Sequence, residues 1–159
     1  MKTTKTILAL FFVAATMMFA ACSEKENEAP AIQLAGTSWE SSIQNTTTVS
    51  GVNMNLELQL VMDFKSDKEG ELYAYISIEV PAMPAANQTQ DMIDPFTYTF
   101  KGNTLTLTSN DENGEDSDMV LTYNPADNTF TAPIPPDMTD GMDPQQLLGT
   151  DHVVFHQAR

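Results

Sequence analysis

The chain holds a single cysteine, Cys22, among 159 residues. No intramolecular disulfide can staple the fold, so stability has to come from a buried core. Basic residues are scarce: seven Lys and Arg stand against 22 Asp and Glu. An excess of that sign repels phosphate backbones and anionic lipid surfaces, which excludes nucleic acid as a partner class. Beyond residue 22 no apolar run approaches the ~18 residues that a membrane-crossing helix needs. Nor does any long segment there repeat apolar residues at the 3.6-residue period of an amphipathic helix. Catalytic signatures are missing as well, with no Gly-x-Ser-x-Gly, no His-Glu-x-x-His and no phosphate-binding glycine loop. Spacing assembles no catalytic set, and enzymatic activity is not expected.

What is present starts at the N-terminus. Lys2 and Lys5 form a positive region, Ile7 to Ala21 is uncharged and apolar, and Ala20-Ala21-Cys22 closes it. That order is a secretory signal, too short and wrongly flanked for a membrane span. A thiol directly after two small residues suits a lipoprotein signal peptidase: diacylglycerol joins Cys22, and cleavage before it leaves an acylated N-terminus. Residues 1–21 are therefore read as a lipoprotein-type signal peptide, and 22–33 as a lipidated, flexible, acidic tether. Residues 34–159 are read as one domain. Cleavage before Cys22 leaves 138 residues, with five basic against 22 acidic side chains and a net charge of −17. The membrane link is then the lipid alone, several acyl chains holding where one is marginal. Ser23 followed by Glu24, Glu26 and Glu28 resembles the acidic signal that carries lipoproteins of Bacteroidota to the cell surface. An outer-membrane lipoprotein is expected, facing either the periplasm or the outside.

From Gly36 onward the pattern is β. Val52, Met54, Leu56, Leu58, Leu60, Met62 and Phe64 alternate with residues of which only Val61 is apolar, the mark of a strand with one face on a core. Ser66 to Gly70 makes a turn, and Leu72, Ala74, Ile76, Ile78 and Val80 repeat the period, so 52–80 reads as a long hairpin. Further strands are placed at 39–48, around Phe96 to Phe100, through Leu105 and Leu107, at 118–124, around Phe130, and at 152–157. One short helix fits near 143–148, because Asp143 can cap it, Pro144 suits the first helical position and Gly149 can end it. Eight successive antiparallel strands predict an all-β up-and-down barrel, which leaves no open edge; a two-sheet sandwich is the alternative. In a meander the tight turns at 65–70, 101–103 and 125–128 share one end. The long connections at 81–95, 109–117 and 133–150 share the other with the turn at 49–51, making a loop-rich rim where function is expected.

Leu34-Ala35-Gly36-Thr37-Ser38-Trp39 opens the first strand with a glycine shortly before a tryptophan. That opening resembles lipocalin-type barrels, where the indole plugs the closed end. The wider layout is similar to the small lipocalin-like lipoproteins of Bacteroidota: lipidated cysteine, acidic tether, Leu-x-Gly-Thr-x-Trp, a long hairpin, Gly102-Asn103 between two strands, and a closing Val153-Val154-Phe155. The resemblance implies a calyx.

The expected function is binding of a small apolar ligand between the strands, lined by Met54, Leu56, Leu58, Ile76 and Ile78 unless those side chains simply fill the barrel. At the rim, two Pro/Met/Asp segments echo each other: Pro81 to Pro84 before Asp91 to Pro95, and Pro133 to Pro136 before Asp137 to Pro144. Their methionines, Met83, Met92, Met138 and Met142, offer the adaptable apolar surface that promiscuous sites use. Recognition of a protein partner by these acidic loops, over a filled barrel, is the alternative. No cofactor is implied. The loop carrying Asp111, Asn113, Glu115 and Asp116 is oxygen-rich, but an EF-hand alignment puts Val120 where a bidentate Glu is required. A solvated loop is the reading there, with an irregular calcium site as the lesser one. His152 and His156 share a strand face about 13 Å apart, too far to hold one metal.

Overall fold

A computed structural model describes residues 32–110, 116–134 and 142–159. Within them the chain forms a closed antiparallel barrel in strand order β1 to β8. The strands are β1 Ser38–Val49, β2 Val52–Phe64, β3 Glu69–Glu79, β4 Gln88–Lys101, β5 Thr104–Asn110, β6 Asp116–Asn124, β7 Thr129–Pro133 and β8 His152–Gln157. A short helix, α1, spans Pro144–Leu148, and a single 3₁₀ turn covers Pro84–Ala86. The barrel, not the sandwich, is the fold. As the meander requires, the turns after β2, β4 and β6 lie at one end, here the floor. The connections after β1 and β3, and the ends of β5 and β7, lie at the other, the mouth.

Period two sets the inward face of each strand, and the register aligns those faces. Trp39 stands opposite Met62, Ser41 opposite Leu60 and Ile43 opposite Leu58; Leu58 stands opposite Ile76 and Leu60 opposite Ala74. Toward the floor these side chains fill the lumen: Trp39, Phe64, Phe130, Phe155, Leu60, Met62, Leu105 and Leu121 are fully buried. Aromatic rings interlock edge to face, Trp39 on Phe130 at 4.7 Å and Phe64 on Tyr98 at 4.8 Å. The indole Nε1 of Trp39 donates to Thr37 Oγ1 at 2.9 Å, and that hydroxyl donates to the Leu34 carbonyl at 2.6 Å. The plug is therefore both apolar and satisfied.

Two departures from regularity shape the mouth. β4 is 14 residues long but pairs with β5 only from Thr97 to Lys101, so its half nearer the mouth has β3 on one side and no described strand on the other. Here the structure corrects the expected loop at 81–95. Residues 88–95 are strand, and only 80–87 connect. Pro95 is tolerated because it lies on that edge without a described partner, where a missing N–H breaks no described ladder, and Asp91 and Asp94 guard the edge with charge. The second departure is the seam. β1 and β8 pair only at Trp39 with Gln157 and Glu40 with His156. Beyond that point α1 packs against β1, where Asn45 Nδ2 donates to the Leu147 carbonyl at 2.8 Å and Thr47 Oγ1 to the Gln146 carbonyl at 3.0 Å. α1 itself is capped as expected. The Asp143 carboxylate accepts from the Gln145 N–H at 3.0 Å, and Gly149 ends it at φ 75°.

Candidate functional site

Cover along the inner wall is uneven: Leu56, Val80 and Leu147 are buried toward the mouth, and Leu72 and Phe100 are only partly buried near the floor. Above the packed floor, Ile43, Ile76, Met92, Met119 and Leu148 are only partly buried against the core, and Met54 and Ile78 are likewise intermediate. Long strands β1 to β4 supply most of this surface. Among the described residues β5 to β8 are shorter, with Met119 of β6 their contribution to this surface. Sequence alternation puts apolar residues there as regularly as at the floor, but fewer described strands remain to cover them. The result is a half-covered apolar stretch of wall toward the mouth.

The expected lining residues divide on this boundary. Leu58, 6% exposed, belongs to the core cluster, whereas Leu56, equally covered, stands higher, opposite Ile78. Met54, Ile76 and Ile78 belong to the half-covered tier. Met92 joins them from β4, opposite Ala74, not from a loop as its Pro/Asp surroundings suggested. Met83 sits beside the 3₁₀ turn at 50% exposure, and Met142 precedes α1 at 40%. The two methionines therefore flank the mouth on separate connections, while the echo between loops is lost because Asp91 to Pro95 lies within a strand. Met138 lies outside the described residues, as do Cys22, Asp111, Asn113 and Glu115; Asp116 opens β6. Ile43, Met119 and Leu148 were not singled out from sequence. Ile43 is an isolated apolar residue in a polar strand, and only its register with Leu58 reveals its place.

Of the cavities with described linings, one touches this tier at Ile43 and one lies at the mouth. One of about 720 Å³ crosses the seam past Ser42, His152, Val154 and His156, and one of about 420 Å³ lies on the outer wall by Glu57 and Glu79. Another of about 260 Å³ separates the β1–β2 hairpin tip from α1. None of these opens between Trp39, Met62, Phe64, Phe130 and Phe155.

Charge is segregated along the barrel. The four basic residues of the described domain, Lys65, Lys68, Lys101 and Arg159, all lie at the floor, with Lys65 paired to Glu71 at 3.2 Å. The mouth carries Glu79, Asp91, Asp94, Asp118, Asp143 and Asp151 with no basic residue among the described positions. Asp151 is held below the usual carboxylate range, chiefly by its hydrogen bond with His152 Nδ1 at 2.6 Å. Tyr73 is pushed above the usual phenol range by desolvation, then by its hydrogen bond to Asp91. Among the described residues no group of three His, Cys, Asp or Glu is placed to hold a metal ion. No helix there is long and apolar enough to cross a membrane.

No family model, curated protein or solved structure matches the chain. The functional reading therefore rests on geometry and chemistry.

Proposed function

We propose that the protein is a lipid-anchored binding module, attached to the outer membrane through Cys22, that seats a small apolar ligand in the mouth of a lipocalin-like barrel. The observation carrying this reading is the two-tier interior. A packed floor supplies rigidity, and the half-covered tier of Ile43, Met54, Ile76, Ile78, Met92 and Met119 supplies apolar surface that folding leaves unsatisfied. The ligand sits high, on the fill and not deep between the strands. The acidic rim disfavours anionic ligands. The domain chain enters at the floor, where the Gly36 N–H donates to the Phe64 carbonyl at 2.7 Å. An anchor at Cys22 thus joins the domain at the end opposite the mouth.

Titration with the neutral fluorophore N-phenyl-1-naphthylamine tests this reading. Saturable binding that is lost in Ile78→Asp and kept in Ile93→Asp, an outer-wall control, is expected. Equal binding by both variants, or none by the parent, overturns it. A second reading, a protein partner at the rim, draws on the exposure of Met83 and Met142. It gains ground if the fluorophore does not bind.

A further inference from the structure

The outer wall carries a second feature that the mouth does not use. A trough of about 420 Å³ runs over β1, β2 and β3, lined by Gln44, Thr46, Asn55, Glu57, Ser77 and Glu79. Register places these residues together. Gln44 stands opposite Glu57, Thr46 opposite Asn55, Glu57 opposite Ser77, and Asn55 opposite Glu79. Directly opposed side chains start ~5 Å apart and diagonal ones ~7–8 Å, so Glu57, Ser77 and Glu79 can all reach one small group.

The polar groups of the trough are unequally occupied. Glu57 Oε1 accepts from Gln44 Nε2 at 3.2 Å and from Gln59 Nε2 at 2.7 Å, which steadies that carboxylate. Asn55 Oδ1 accepts from the Thr46 hydroxyl at 3.1 Å. No described residue bonds the carboxylate of Glu79 or the hydroxyl of Ser77. Yet Ser77 is only 9% exposed, and no fully buried side-chain polar atom among the described residues lacks a partner. The Ser77 hydroxyl therefore keeps some exposure, and Ser77 lines the trough. A largely covered serine whose hydroxyl bonds no described residue, beside two carboxylates and with no Lys or Arg on the lining, is an acceptor set suited to a donor cation.

We propose that this trough binds an aliphatic primary amine, its ammonium group donating to Glu57, Glu79 and the Ser77 hydroxyl. Three donors on a compact cation match three acceptors on two adjacent strands, and charge-assisted bonds are the stronger kind. The four-carbon distance to a second ammonium brings it over the neighbouring row, where Asp91 stands opposite Tyr75 and next to the Tyr73 hydroxyl.

Backbone amide chemical shifts of the ¹⁵N-labelled chain from Ser23 onward, which retains every strand, test the proposal with 1,4-diaminobutane and with 1,4-butanediol. Saturable shifts centred on Glu57, Ser77 and Glu79 are expected with the diamine alone, with affinity falling about three- to tenfold in Glu79→Gln and less in Ser77→Ala. Shifts that rise without saturation and extend equally to floor carboxylates such as Asp67 and Asp127 would mean a diffuse counter-ion atmosphere and overturn it. Equal response to the diol would overturn it too, as would unchanged affinity in Glu79→Gln. Neither variant touches the core, so loss of the fold does not stand in for loss of binding.

Discussion

Gly70 offers a sharp test of the packing. It is buried at the start of β3, pairs with Phe64 on one side and Phe96 on the other, and faces inward beneath their two rings. Those rings meet edge to face at 5.6 Å. A Cβ at residue 70 would lie 2.5 Å from the Asp63 carbonyl oxygen and 2.6 Å from Phe96 Cε2, closer than real Cβ contacts come. Either the ring leaves its seat or the β2–β3 hairpin bends. Overpacking of this kind costs ~1–3 kcal/mol, against which the lower entropy of an unfolded alanine chain returns ~0.4–1 kcal/mol. The net expectation for Gly70→Ala is a loss of about 1–2 kcal/mol. Phe96→Ala removes the ring and is expected to lose ~3–5 kcal/mol. The double variant keeps only the contact with the carbonyl, so its loss should fall short of the sum by about 1 kcal/mol. Urea unfolding followed by fluorescence of Trp39, the only tryptophan in the chain and itself part of the floor, reads all three. A Gly70→Ala protein within ~0.5 kcal/mol of the parent, together with an additive double variant, would refute the argument.

Three further outcomes follow from other parts of the molecule. Tyr98 donates to the Ser66 carbonyl at 2.8 Å across the floor turn, so Tyr98→Phe should lose about 1 kcal/mol at neutral pH in the same urea assay. Its phenol is raised above 10.0, mainly by burial and then by Asp67. Below that pH both folded and unfolded chains keep the proton. Above it the unfolded chain ionises first, so stability falls as pH rises, and Tyr98→Phe should show a shallower alkaline decline. Asn45→Ala removes the bond to the Leu147 carbonyl, and amide exchange across residues 145–148 should accelerate about fivefold while β2 is unchanged; equal protection in both would separate α1 from that contact. Cys22→Ser should move the protein from the membrane fraction to the soluble one, and retention in membranes would remove the lipid anchor from the account.

Legibility tracked the strength of local signals. β2 and β8 were placed to the residue and α1 nearly so, because clean alternation and a cap with a terminal glycine are local signals. The strand order and the segregation of tight turns from long connections followed from counting. The sequence alone shortens β4, because Asp91-Met92-Ile93-Asp94-Pro95 has loop composition. It forms strand because β3 pairs with it while the other edge meets no described strand, a tertiary circumstance that no local pattern states. The candidate mouth was legible in part: Met54, Ile76 and Ile78 came from the alternation, but the boundary between fill and mouth depends on how far β5 to β8 reach. The outer trough was illegible. Gln44, Asn55, Glu57, Ser77 and Glu79 are ordinary solvent-face residues on three strands, and only register makes them neighbours.

The central claim is that the barrel is filled below and receptive above, and native mass spectrometry of the chain from Ser23 onward tests it most directly. After incubation with a mixed neutral lipid extract, one added mass of a few hundred daltons, lost on denaturation and absent from Ile78→Asp, is the result this account expects. A bare native mass in the parent protein, or an adduct that survives in Ile78→Asp, would contradict it.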